Sequence, residues 1–105
     1  MNIRFEYLYR DYGNFKNWGE IVFSNPNDIA VDVVEAMTEK VLIDQTNFVA
    51  TKANVPDLHF AEYNEQLDHG WHEFYKCQTT DEAPNDQHNR NIEEFIESLH
   101  YASIL

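Results

Sequence analysis

From Ile3 to Asp11 the chain alternates Ile3, Phe5, Tyr7 and Tyr9 against Arg4, Glu6, Leu8 and Arg10. Successive side chains of an extended strand point to opposite faces, so this period of two reads as a β-strand with an aromatic side and a mainly charged side. Whatever follows must pair with that strand and cover its aromatic side. Asp11-Tyr12-Gly13-Asn14-Phe15-Lys16-Asn17 is rich in turn formers, and Trp18 to Ser24 resumes as a second strand, which together predict a hairpin with a long loop.

Ser24-Asn25-Pro26-Asn27-Asp28 ends that strand and offers Asn25 as an N-cap before Pro26, or Asn27 one step later. From Ile29 to about Leu42, Ile29, Val33, Ala36, Met37 and Val41 recur at helical spacing, with Ala30 and Val34 widening the stripe. Asp28, Asp32, Glu35 and Glu39 form an acidic ridge on this helix, which reads as a solvated face. Residues 43–55 carry a weaker pattern, in which Asn47-Phe48-Val49-Ala50 is a short extended segment before Pro56.

Leu58 to Tyr63 and Trp71 to Cys77 read as a second hairpin across residues 64–70, and residues 78–88, with Pro84, as a mobile polar loop. Ile92, Phe95, Ile96, Leu99 and Ala102 then mark a closing helix over about 89–102. The expected fold is α+β, a two-layer sandwich of order ββαββα, with a four-stranded antiparallel sheet and both helices on one face. A shift of 53 residues sets Trp18 on Trp71 and Glu20 on Glu73, which suggests an internal ββα pseudo-repeat, about 3–42 and 57–102, within a single domain spanning 1–105.

Quoted together, Tyr7-Leu8-Tyr9-Arg10-Asp11, Gly13-Asn14-Phe15-Lys16-Asn17-Trp18-Gly19-Glu20, Phe23-Ser24-Asn25-Pro26, Pro56-Asp57-Leu58-His59-Phe60, Leu67-Asp68-His69 and Trp71-His72-Glu73-Phe74 resemble the pattern of a widespread group of small bacterial proteins with no established activity. Tyr12 stands where that pattern has a small residue, and Gly70 where it has Thr. The resemblance spans most of residues 7–74 and implies a bacterial domain, without assigning any catalytic residue.

Charge narrows the function classes. The formal net charge is −12; residues 1–52 hold 8 acidic and 5 basic side chains, and residues 53–105 hold 11 acidic and 2 basic. Direct nucleic-acid binding needs clustered Lys and Arg and is disfavoured, whereas a basic protein partner would be attracted. No apolar run approaches the roughly 20 residues that span a bilayer, the start lacks a signal-peptide block, and a lone Cys77 cannot form an internal disulfide. A cytoplasmic protein without membrane association is expected.

Strand parity sends Phe5, Tyr7, Ile21, Phe23, Leu58, Phe60 and Phe74 toward the helices. The opposite face receives Arg4, Glu6, Leu8, Arg10, Trp18, Glu20, Val22, His59, Tyr63, Trp71, Glu73 and Tyr75. Of these, Trp18, Trp71, Tyr75, Glu20, Glu73, His59, Arg4 and Arg10 are the candidate binding residues, because Trp, Tyr and Arg dominate interface hot spots. The face is either open for a protein partner, a second copy included, or covered by residues 43–56 or 78–88. The alternative is a small metal-dependent or hydrolytic enzyme centred on His59, His69, His72 and Glu73. By parity His72 lies on the core side and His59 on the other, which splits that set; no cofactor and no metal are expected, and Cys77 reads as a structural thiol.

Overall fold

The computed structural model describes residues 1–61 and 70–103. In chain order the elements are β1 (Asn2–Arg10), β2 (Lys16–Phe23), α1 (Val31–Val41), β3 (Asn47–Phe48), β4 (His72–Thr80) and α2 (Ile92–Ala102). The strands form one four-stranded sheet in the order β2-β1-β4-β3, with every pairing antiparallel, so the chain is of the α+β class.

The first hairpin forms as its alternation predicts, with Phe5 opposite Ile21 and Leu8 opposite Trp18. The expected second hairpin does not. Residues 57–60 make no strand, and the fourth strand is instead the two-residue β3, which pairs with Glu73 and His72 of β4. The chain reaches β3 through a tight turn in which the Thr46 N–H donates to the Ile43 carbonyl, with Asp44 and Gln45 both at positive φ. Left-handed backbone usually advertises itself through glycine, and no glycine stands there. Nor does the 53-residue shift superpose the elements, since the helices begin at Val31 and Ile92. Tyr63 and residues 64–69 of the expected turn lie outside the described residues.

Ile3, Phe5, Tyr7, Ile21 and Phe23 are buried in the same core as Val34 of α1 and Ile92, Phe95, Ile96, Leu99 and Ala102 of α2. Phe95 stacks on Phe23 with centroids 4.1 Å apart and meets Phe5 edge-on at 4.8 Å. Helix α2 buries the five residues its stripe singles out and starts at Asn91, whose side chain accepts from the Glu94 N–H while the Glu94 carboxylate accepts from the Asn91 N–H.

Helix α1 departs from expectation. Its N-cap is Ala30, without a side-chain bond, because Asn25 closes a turn with both the N–H and the carbonyl of Ile29. Its buried stripe is also rotated from the expected one: Val34 and Thr38 are buried while Val33 and Ala36 are exposed. Thr38 tolerates burial because its hydroxyl donates to the Val34 carbonyl. Glu35 leaves the acidic ridge and accepts from the Cys77 N–H at 3.0 Å, satisfying a backbone donor on β4 beyond the end of β3.

The β1–β4 register slips between Glu6 and Tyr7: Glu6 faces Lys76, but Tyr7 faces Phe74. Tyr75 is thus the extra residue of a β-bulge, and parity reverses along β4. His72 and Phe74 face inward, then so does Cys77, an odd-numbered residue that joins the core.

Candidate functional site

The outer face of the sheet carries most of the candidate binding residues, and the bulge decides which are displayed. Tyr75 is 52% exposed and Trp18 is 51% exposed; their rings meet edge to face with centroids 5.0 Å apart. Trp18 lies on β2 and Tyr75 on β4, strands held roughly 10 Å apart by the intervening β1, so the rings must lean together over it. Leu8, paired with Trp18 on that central strand, is only 3% exposed. The pair therefore stands beside Leu8 and displays its outer surfaces. Lys76 adds an ammonium 5.2 Å from the Tyr75 ring centre.

Ion pairs flank these rings. Arg10 Nε donates to Glu73 at 2.8 Å and Nη1 donates to Asn14, while Arg4 lies 2.7 Å from Glu82 and 3.6 Å from Glu20. Arg4, Arg10, Trp18, Glu20, Glu73 and Tyr75 thus share one face, as their parity predicts. Trp71, immediately before β4, is only partly exposed, so the displayed aromatic pair is Trp18 with Tyr75 rather than two tryptophans.

Residues beyond Thr80 cover the other end of the face. Asn2 donates to the Glu82 carbonyl, and Asn85 exchanges two bonds with Val22, its N–H to the Val22 carbonyl and its side-chain oxygen from the Val22 N–H. Val22 is 2% exposed as a result. The expected mobile loop at 78–88 is therefore a strand end followed by a pinned crossing. Its anchor is a pair that pattern reading missed. Arg90 donates to Asp86 and to the carbonyls of Ala53 and Asn54, and its guanidinium sits 5.2 Å from the Phe95 ring centre. Burial alone would raise the Asp86 carboxyl; the Arg90 hydrogen bonds and charge, with the His88 N–H, outweigh it and hold the group below the ordinary aspartate value.

On the inner face, beyond the reach of the helices, residues 56–60 cross the strands instead of pairing along them. Tyr7 Oη donates to the Pro56 carbonyl at 2.7 Å, Asn17 donates to the Leu58 carbonyl, and the Leu58 N–H donates to Nε2 of His72 at 2.9 Å. Gly19 makes room: a Cβ there would stand 2.9 Å from Leu58 Cδ1 and 3.2 Å from Tyr7 Cε1. Burial, and then the charge of Asp57, push the Tyr7 phenol above its ordinary value, so it stays a donor.

This crossing corrects the parity argument for the histidines. His59 is not on the outer face; its ring packs edge-on against Tyr9 at 4.4 Å, and against His72 at 5.2 Å. Asp57, absent from the candidate set, joins them: Asp57 Oδ1 accepts from the His59 N–H at 2.9 Å and lies 2.8 Å from His59 Nδ1 and 3.5 Å from His72 Nε2. The local signal was Asp57-Leu58-His59 after a proline, an aspartate positioned to bond the backbone two residues on. Glu73 cannot belong to this cluster, because it pairs with Arg10 on the opposite face. Asp68 and His69 lie outside the described residues. Beside the cluster, Tyr9, Asp11, Phe15, Lys16 and Phe60 line a cleft of about 660 Å3. Among the described residues no helix is long and apolar enough to cross a membrane. Compared with protein-family models, curated proteins and solved structures, the chain finds no match.

Proposed function

We propose that this chain is a cytoplasmic protein-binding module that engages a basic protein partner through the outer face of its sheet. The observation that carries this reading is the Trp18–Tyr75 pair, two large aromatic side chains about half exposed, in contact and flanked by charged groups. Aromatic anchors of this kind supply contact area at little conformational cost, and arginines beside them supply directional bonds. The −12 net charge supports a basic partner, since opposite fields accelerate encounter. We also infer a two-layer arrangement in which both helices back the sheet and leave the outer face for contact. The resemblance of residues 7–74 to a group of small bacterial proteins supports a bacterial setting for the module.

Affinity capture from the native host tests this reading. The wild-type chain retains a basic protein at low salt, and the folded Trp18→Ala/Tyr75→Ala variant loses it. Each anchor accounts for about 2 kcal/mol of binding, mostly through faster dissociation. Undiminished capture by a folded double variant would sink the proposal.

A further inference from the structure

We propose that Asp57, His59 and His72 form a binding site for a borderline divalent cation of the first transition row, with Zn2+ as its natural probe. Two ring nitrogens and a carboxylate oxygen lie within 4.8 Å of one another. Ligand atoms around 2.0–2.2 Å from one ion stand roughly 3.0–3.5 Å from each other, and the Asp57 oxygen lies 2.8 and 3.5 Å from the two imidazole nitrogens. Two of the three separations are thus close to those of a coordination sphere.

The hydrogen bond to His72 gives a second, independent reason. Nε2 of His72 accepts from the Leu58 N–H, so its lone pair, not a proton, occupies that nitrogen. The same nitrogen lies 3.5 Å from the Asp57 carboxylate. Nε2 and the Asp57 oxygen thus both present lone pairs to one space, each accepting a backbone N–H, from Leu58 and from His59 respectively. A neutral imidazole is also the form that ligates metals. The ion would replace the Leu58 N–H at Nε2, and His59 would offer Nδ1 with its proton on Nε2.

Access and stiffness are compatible with the assignment. The His72 side chain is 1% exposed and forms the floor; those of His59 and Asp57 are 23% and 39% exposed and form the open side. The cluster joins β4 to the crossing segment 56–60, so a bound ion would fasten that segment to the sheet. Among the described residues three ligands converge, two imidazoles and a carboxylate, a donor set that suits a borderline divalent cation.

The test uses the untagged full chain, stripped with chelator and titrated with Zn2+ against a chromophoric competitor, and with Co2+ followed by its visible absorption. One equivalent of zinc binds with a micromolar or tighter constant, and Co2+ gives the d–d bands of a low-coordinate site. His72→Gln disturbs a buried ring, so Asp57→Asn and His59→Gln carry the comparison. Asp57→Asn keeps the oxygen that accepts from the His59 N–H. Each variant retains wild-type circular dichroism and loses about tenfold or more in zinc affinity. Substoichiometric zinc at saturating concentration overturns the site, as does wild-type affinity in the two folded variants, which would move the ion elsewhere.

Discussion

The two faces of β1 teach opposite lessons. Its inner side chains, Ile3, Phe5, Tyr7 and Tyr9, are all at most 1% exposed. They are covered by three unlike pieces: α2 over Phe5, β3 and the aromatic residues around it, and the crossing segment 56–60 over Tyr7 and Tyr9. Its outer side chains alternate in the same strand but are covered piecemeal, with ion pairs at Arg4 and Arg10 and the Trp18–Tyr75 rings beside Leu8. Strand parity assigns a residue to a face. Coverage is set by whatever chain crosses that face, and over Tyr7, Tyr9 and Val22 the crossing pieces are coil.

The largest effect should separate these faces by stability. Phe5→Ala removes a ring in contact with Phe48, Phe74 and Phe95 and should destabilise the fold by about 3–5 kcal/mol in urea denaturation. Leu8→Ala should cost about 2 kcal/mol, near the low end for a buried leucine, because the half-exposed rings beside it can settle. If Leu8→Ala is silent, the Trp18–Tyr75 pair does not close a small core and the outer face is open throughout.

Next comes the clamp that brings the chain back from the outer face to α2. Asp86→Asn should cost about 1–3 kcal/mol at neutral pH by unpairing a buried charge-assisted network. Its folded-state carboxyl is lowered, so its contribution is fully present above the ordinary aspartate value of roughly 4 and is lost as pH falls through the lower folded value. Wild type and variant should therefore converge in strong acid; a difference that persists unchanged there contradicts an electrostatic clamp.

A smaller effect probes the crossing segment. Gly19→Ala should destabilise by about 1–2 kcal/mol through its clash with Leu58, and by less in a Leu58→Ala background. Additive costs in the double-mutant cycle would show that Gly19 is not reserved for Leu58. Smallest of all, Glu93→Gln/Glu94→Gln/Glu97→Gln should shift stability by about 0.5 kcal/mol or less, since Gln still serves the Asn91 capping box. The same change should slow partner association at low salt only, because exposed charges are screened over about 8 Å at physiological ionic strength.

Much of this architecture was legible because it obeys a period. The β1–β2 hairpin follows alternation, and α2 follows its stripe. What stayed hidden breaks a period. Leu58 and Phe60 alternate like strand residues, yet the segment satisfies its backbone through Asn17 and His72 side chains rather than a ladder. The Tyr75 bulge reverses parity without any compositional mark. Thr38 fills a core position that an apolar count passes over, and Asp44 and Gln45 turn left-handed where glycine would have been the cue. The histidine cluster was half visible: the residue types were in view, but pairing them with Asp57 required knowing that residues 56–60 cross the sheet.

The burial of Cys77 bears on how the motion of this protein can be timed. Cys77 is the only cysteine, it is 5% exposed, and its amide is held by a side chain from α1. Burial, then the charges of Glu35 and Glu6, push its thiol up to about 12, so at neutral pH almost none of it is the reactive thiolate. An alkylating reagent must wait until the core around Cys77 opens. The rate of single-site labelling therefore works as a built-in clock for that opening, readable by intact mass and requiring no engineered probe.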